Sequence, residues 1–379
     1  MTDRPYDLVL LGATGFTGRL VARHLGERLA GSGLRWAIAG RDATKLAEVA
    51  AGVPGDPAEE VVDVSDLVGL LHLAERTRVL GTTVGPYLRH GELVVQACVR
   101  AGTHYADITG ESAFVRLVSE RYGADAQHRG VQLVSCCGFD SVPPDLGAQM
   151  VAEALPQDAS LAVRAYLQAD ARFSGGTVTS GLTMLESEEP GLAVVPLAGR
   201  RPVHTLGTRP HRVAELDAWA LPLPTIDPAI VLRSASALEG YGRAFRYGHY
   251  VAVGSLPRAV GSALGAGAAL GLARLRSTRA LLRRLAPDPG EGPSPERRAR
   301  SSFTLTLLGQ GGGQRVIGRV AGGDPGYDEA ATMLGEALLS LALDPRGPRA
   351  GHLTPAAALG VPYRERLEEQ GLTFAVESA

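Results

Sequence analysis

The chain has 379 residues, of which 45% are hydrophobic and 21% charged, the balance of an ordinary globular protein. At about 100–200 residues per domain, that length predicts two domains. Its 38 basic and 40 acidic residues leave a net charge of −2, so no global field favours nucleic acid or an anionic membrane.

Tyr6 to Leu11 is a short apolar run leading into Gly12, the pattern of a buried parallel strand. RLVARHLGERLAGSG follows Gly18 and sets Leu20, Val21, His24, Leu25 and Leu29 on one helical face; Gly31 and Gly33 end that helix. A second strand is predicted at Trp36 to Ala39, a helix at Ala43 to Ala51, and a third strand at Glu60 to Val64. Further on come a helix at Asp66 to Ala74, a strand at Arg78 to Thr83 and a helix at Gly91 to Ala101. Strands at His104 to Ile108 and Val131 to Cys136 complete the series. Such alternation predicts a doubly wound, Rossmann-type parallel sheet over residues 1–140.

Past residue 140 the rhythm changes. Leu161 to Leu167 and Ser302 to Leu308 alternate polar and apolar residues, as half-buried antiparallel strands do. Gly311, Gly312 and Gly313 predict a turn into a partner strand, Arg315 to Val320. Residues 141–330 are therefore expected to form an inserted α+β domain with a largely antiparallel sheet, used for substrate or dimerisation. Residues 286–300, rich in proline and charge, read as a loop inside it. Residues 331–379 are expected to form a helical segment returning to the first domain, with TPAAALGVPYRERLEEQGLTF as its helix.

Gly12-Ala13-Thr14-Gly15-Phe16-Thr17-Gly18 lies between the first strand and the first helix. Gly12 permits the turn, Gly15 lets backbone approach a pyrophosphate, and Gly18 lets helix pack on sheet. Free N–H groups and the helix dipole there favour an anion. The spacing is G-x-x-G-x-x-G rather than G-x-G-x-x-G, and its position after an apolar run is what gives it weight. An NAD site puts an acid at the end of the second strand, for the ribose 2′-OH. Here that strand ends Ala39-Gly40-Arg41, with Lys45 a turn later. Arg41 can pair bidentately with a 2′-phosphate, so NADP(H) is the expected cofactor. Asp42 reads as a helix N-cap. Asp63 is placed to meet the adenine edge, and Thr82, Thr83, Val84, Gly85 and Pro86 to meet the nicotinamide half.

The stretches TTVGPYLRHGELVVQACVRAGTHYADITGE (82–111), CCGFDSVPPDLG (136–147), FSGGTVTSGLTMLE (173–186), LTPAAALG (353–360) and ERLEEQGLTF (365–374) resemble the saccharopine-dehydrogenase-like oxidoreductases. The third and the last two resemble the branch that includes trans-acting enoyl reductases. Those enzymes work with polyketide synthases on phthiocerol-type lipids and glycolipids, and a lipid-droplet-associated animal relative shares the branch. What the resemblance implies is an NADPH-dependent reductase acting on a C=C bond of a lipid or polyketide-like acyl chain, as a lipid or bound to an acyl carrier. Two alternatives stay open: a saccharopine-type C–N oxidoreductase, and an NADP-binding lipid-surface protein with little turnover.

Hydride transfer to an enoyl thioester leaves an enolate that needs a donor and then a proton at the α carbon. Tyr87 follows Gly85-Pro86; Asp107 ends the next strand beside Tyr105; Asp140 sits in GFDSVPPD at the domain crossing. Each also has a packing, turn or cap reading. No His/Cys cluster has metal-ligand spacing, so no metal is expected. Cys98, Cys136 and Cys137 argue against a disulfide framework and for a reducing, cytoplasmic setting; Cys136 and Cys137 read as small apolar residues on a buried strand. Residues 250–285 join an apolar segment to five arginines, among them Arg276, Arg279 and Arg283. That segment fits either a peripheral place on the inner face of a membrane or a packed hairpin, including a homodimer interface.

Overall fold

The computed structural model describes residues 4–169, 201–207, 209–223, 225–257, 292–345 and 347–378. The stretch 173–186, and 258–285 of the apolar and arginine segment, therefore lie outside the described residues. The chain divides into two units: Met1–Val142 with Asp288–Ser294 and Gly326–Gln370, and Pro143–Pro287 with Pro295–Pro325 and Gly371–Ala379.

The first unit holds a seven-stranded sheet. Labels follow chain order: β1 (Tyr6–Leu11), β2 (Trp36–Gly40), β3 (Ala58–Val61), β4 (Thr77–Thr82), β5 (His104–Asp107), β6 (Gln132–Val134) and, near the end, β14 (Gly351–Leu353). Their order is β14-β6-β5-β4-β1-β2-β3, and every pairing is parallel. Leu8, Val9 and Leu10 on β1 are fully buried, which explains why the strand reads as one apolar run rather than an alternation. The helices are α1 (Phe16–Leu29), α2 (Ala43–Ala51), α3 (Leu67–Glu75), α4 (Tyr87–His90), α5 (Glu92–Ala101), α6 (Ser112–His128), α10 (Asp328–Leu343), α11 (Pro355–Ala358) and α12 (Gly360–Glu369).

Several boundaries differ from the sequence expectation. β3 starts at Ala58 and leaves the ladder after Val61, because the chain turns toward the Asp66 cap of α3. β6 ends at Val134, so Cys136 and Cys137 are buried but lie beyond the strand; Cys136 takes a left-handed φ of 66°. Both backbone N–H groups there serve Asp107: that of Cys136 reaches the carboxylate at 3.1 Å, that of Cys137 the carbonyl at 2.7 Å. The helix read across 354–374 is two short helices, and Thr373–Ser378 is instead a strand. Helix α10 buries nearly its whole length; on it Gly335 gives space to His24 of α1, whose Nε2 meets the buried Glu336 carboxylate at 2.8 Å. Arg28 closes on the same carboxylate at 2.9 Å.

The second unit begins on α7 (Val142–Glu153) and holds an eight-stranded sheet. Its strands are β7 (Ser160–Ala169), β8 (Val203–Thr205), β9 (His211–Val213), β10 (Ala218–Pro222), β11 (Ala244–Val253), β12 (Phe303–Gly311), β13 (Gln314–Gly322) and β15 (Thr373–Ser378), with α8 (Asp227–Ala237) and the short α9 (Pro295–Arg298) beside them. The order is β15-β13-β12-β7-β11-β10-β9, with β8 also on β11. Only the pairings of β11 with β7 and with β8 are parallel. Leu161, Val163 and Ala165 face α7, where Gly309 and Gly318 make room for Val151. On that side His249 is buried, its Nδ1 bonded to the Tyr247 hydroxyl at 2.9 Å, and burial drives its pKa down to about 4. Arg164 and Tyr166 point the other way, level with Tyr250 and Leu308 on the neighbouring strands.

Candidate functional site

The turn from β1 into α1 is built by three glycines. Gly12 has φ +92°, a conformation L side chains avoid. Its N–H donates to Ala39 O at 2.8 Å, and Thr83 Oγ1 donates to its carbonyl at 3.1 Å. A Cβ on Gly18 would lie 2.0 Å from that same carbonyl oxygen. Gly15 is exposed and caps α1 with no side chain, so the first-turn N–H groups have no capping acceptor from it. Ala13 is buried, while Thr14, Phe16 and Thr17 are half-buried along the mouth of the turn. An open helix N-terminus with no acid in its first turn fits a pyrophosphate.

At the tip of β2, Gly40 is followed by the exposed Arg41. Asp42 accepts the Lys45 N–H at 3.1 Å and so caps α2; Lys45 Nζ lies 3.8 Å from the same carboxylate. Asp63 is held by Ser65, whose hydroxyl donates at 2.6 Å and whose N–H donates at 2.8 Å. Those two bonds, then the nearby Arg41 charge, lower the Asp63 pKa. Arg41 and Asp63 thus share one end of the sheet, with the basic group nearer the position where an NAD site holds an acid. This donor set fits a 2′-phosphorylated dinucleotide.

Thr82 ends β4 buried, and its Oγ1 accepts the Val84 N–H at 3.2 Å. The Gly85–Pro86 peptide is cis, and Pro86 leads into α4. Tyr87 is buried; its hydroxyl donates to Thr82 O at 3.1 Å. Burial, then the Asp107 charge, raises its pKa well above the ordinary value.

Asp107 is fully buried and pinned from several sides. One oxygen accepts the N–H groups of Thr109 at 2.9 Å and Cys136 at 3.1 Å; the other accepts the Ser135 hydroxyl at 3.0 Å. Desolvation dominates nevertheless and pushes its pKa up to about 6. Asp140 is exposed, and its carboxylate lies against the backbone of Gly110. Desolvation by the surrounding protein shifts its pKa upward.

Sequence reasoning passed over Glu111. It is 3% exposed, and its two oxygens separately accept the N–H groups of Tyr87 at 2.9 Å and Leu88 at 3.0 Å. Thr109 Oγ1 accepts the Glu111 N–H at 3.0 Å, so Asp107, Thr109 and Glu111 form a relay of side-chain-to-backbone turns ending on the 82–87 loop. The signal was available: acceptors at every second position, D-x-T-x-E, are what such turns need. Among the described residues no group of His, Cys, Asp and Glu is arranged to hold a metal ion.

Residues 8–134 match the saccharopine dehydrogenase NADP binding domain. A Mycobacterium tuberculosis protein provisionally named a trans-acting enoyl reductase is 36% identical, over 98% of both chains. Trans-acting enoyl reductases of Mycobacterium bovis and Mycobacterium ulcerans are each 33% identical, over 98% of this chain and 98% and 97% of theirs. The apo saccharopine dehydrogenase (L-Glu forming) of Saccharomyces cerevisiae superposes with a TM-score of 0.59 at 12% identity, covering 98% of this chain and 99% of that one. That likeness extends the fold, a parallel sheet with a second mixed sheet, across the whole chain. The chain is an NADP-dependent oxidoreductase and belongs to the trans-acting enoyl reductase branch of the saccharopine-dehydrogenase-like family.

Proposed function

We propose that the protein reduces the C=C bond of a lipid or polyketide-like enoyl thioester. The observation that carries this reading is full-length similarity to relatives named for enoyl reduction, on a chain whose Arg41 stands where NADPH selection is made. The turn 12–18 would hold the pyrophosphate, Arg41 the 2′-phosphate, Asp63 the adenosine, and Thr82 to Pro86 the nicotinamide half. Bound NADPH supplies the hydride that goes to the β carbon.

The α carbon then needs a proton, and the three candidate side chains differ in their freedom to give one. Tyr87 commits its hydroxyl to Thr82 O. Asp107 is enclosed by donors. Asp140 keeps an exposed carboxyl beside Gly110, open to a bound substrate as a general acid must be. We therefore assign Asp140 as the proton donor and read Tyr87 and Asp107 as residues that shape the loops around the site. With a 2-enoyl pantetheine thioester and NADPH, Asp140→Asn should cut kcat about 10²-fold while NADPH affinity holds. An unchanged kcat would remove Asp140 from the chemistry. No NADPH oxidation by wild-type protein with any enoyl thioester would reject enoyl reduction itself.

A further inference from the structure

The outer face of the second unit's sheet, opposite α7, carries a cavity of about 590 Å³. Arg164 of β7, Arg315 of β13, Arg212 of β9 and Arg209 just before it all line the cavity, against one lining acid, Glu215. Arg315 is paired with Glu215, and Arg212 with Asp217. Arg164 and Arg209 meet no carboxylate among the described residues; Arg164 lies beside the Tyr250 hydroxyl. Two guanidinium groups with no carboxylate partner among the described residues, in one concavity, are a fork for phosphoryl oxygens.

The wall beside them is rigid. Tyr166 stacks on Tyr250 with centroids 5.4 Å apart at 23°, and His211 stands edge-on to Tyr250 at 4.8 Å. Arg209 O lies 3.1 Å from His211 Nδ1, so that nitrogen carries the proton, and Nε2 is left to accept the Tyr166 hydroxyl at 3.1 Å. The Tyr250 hydroxyl donates to Gly207 O at 2.6 Å. These bonds hold the backbone from which Arg209 projects, so the cationic groups are placed before any ligand arrives.

We propose that this cavity binds the phosphate of the carrier that bears the acyl thioester. The proposal rests on the enoyl-thioester reading above. Thioester-activated acyl chains ride on phosphopantetheine, either within coenzyme A or as the arm of a carrier protein, and both present a phosphate to the cavity.

The test is calorimetric titration of protein saturated with NADPH, so that the nucleotide cradle of the first unit is occupied. Coenzyme A and free phosphopantetheine should bind saturably, and pantetheine should not. Arg164→Ala and Arg209→Ala should each weaken binding roughly tenfold to hundredfold, the worth of a charge-assisted bond. Arg209 is exposed on a loop, so its variant should keep the wild-type melting point and NADPH affinity. Equal affinity for coenzyme A and phosphopantetheine would support a carrier-protein arm; much tighter coenzyme A would support the free coenzyme. Pantetheine binding as well as phosphopantetheine, or coenzyme A binding that survives Arg209→Ala unchanged, overturns the proposal. Turnover of a pantetheine enoyl thioester, which has no phosphate, separates the two readings. If it proceeds while no phosphate compound binds, the cavity proposal falls and enoyl reduction stands. If phosphate binds without any turnover, the reverse holds.

Discussion

On the proposed reading, cofactor choice turns on one exposed side chain, Arg41. Arg41 follows the last residue of β2, where an acid would meet a ribose 2′-OH. Arg41→Asp should replace a charge-assisted pair by repulsion and weaken NADPH by about 2–4 kcal/mol, whereas NADH should lose far less. Fluorescence titration with both cofactors decides it, and equal losses would sink the assignment. The place of Arg41 at the strand tip was legible in the sequence, because the apolar run of β2 ends at Gly40 just before it. Asp42 was legible for the same reason, and it caps α2 as its position predicts. The state of Tyr87 was not legible. Sequence puts a phenol beside the nicotinamide loop but cannot tell that the hydroxyl turns back onto Thr82 O, since that depends on the burial of its ring against Phe114.

At the scale of elements, the 82–87 loop and α4 are held from outside. Glu111 sits just before α6 and takes the two N–H groups that open α4. Glu111→Gln keeps the shape but turns one acceptor into a donor facing an N–H. Stability should fall by about 1–3 kcal/mol, and the Tyr87 and Leu88 amides should lose hydrogen-exchange protection. If Glu111 positions the nicotinamide loop, kcat falls more than KM rises; unaltered exchange at both amides would dismiss the role. The β-strands of the first unit were largely legible, because short apolar runs such as Leu8 to Leu11 are what strands buried on both faces require. Helix α6 was less so. Its 17 residues bury only Phe114, Val115, Val118 and Ala126, a thin stripe that periodicity reads poorly. Helix α10 was lost for the opposite reason, being apolar almost all round. The C-terminal β15 was masked by its exposed, half-polar sequence on a sheet edge.

Across the whole molecule, each unit buries a group whose pKa is displaced within the acid range, Asp107 in one and His249 in the other, and the two displacements oppose. Asp107 in the first unit rises from 3.8 to about 6, so its contribution is full below pH 3.8 and fades as pH rises through 6. His249 in the second falls from 6.5 to about 4, so its contribution is full above pH 6.5 and fades as pH drops through 4. Each is worth about 3 kcal/mol. Between pH 4 and 6.5 acidification should therefore favour the first unit and weaken the second. Asp107→Asn should flatten the pH dependence in one unit and His249→Gln in the other, read by exchange protection of β1 and β7 amides. Parallel pH trends in both units would contradict this. The threading of the chain has a consequence for synthesis. The first unit needs Gly326–Gln370 for α10 and for β14 at the edge of its sheet, and the second needs β15 at Thr373–Ser378. A nascent chain halted at residue 325 would lack the helix that lies over Gly81 of β4 and the strand that borders β13. Until residues 351–378 are added, β6 and β13 would lack these neighbours and stand as open edges. Stalled chains of that length should be cut readily by protease within β1 to β6, and resistance there would show that the first unit closes without its late residues.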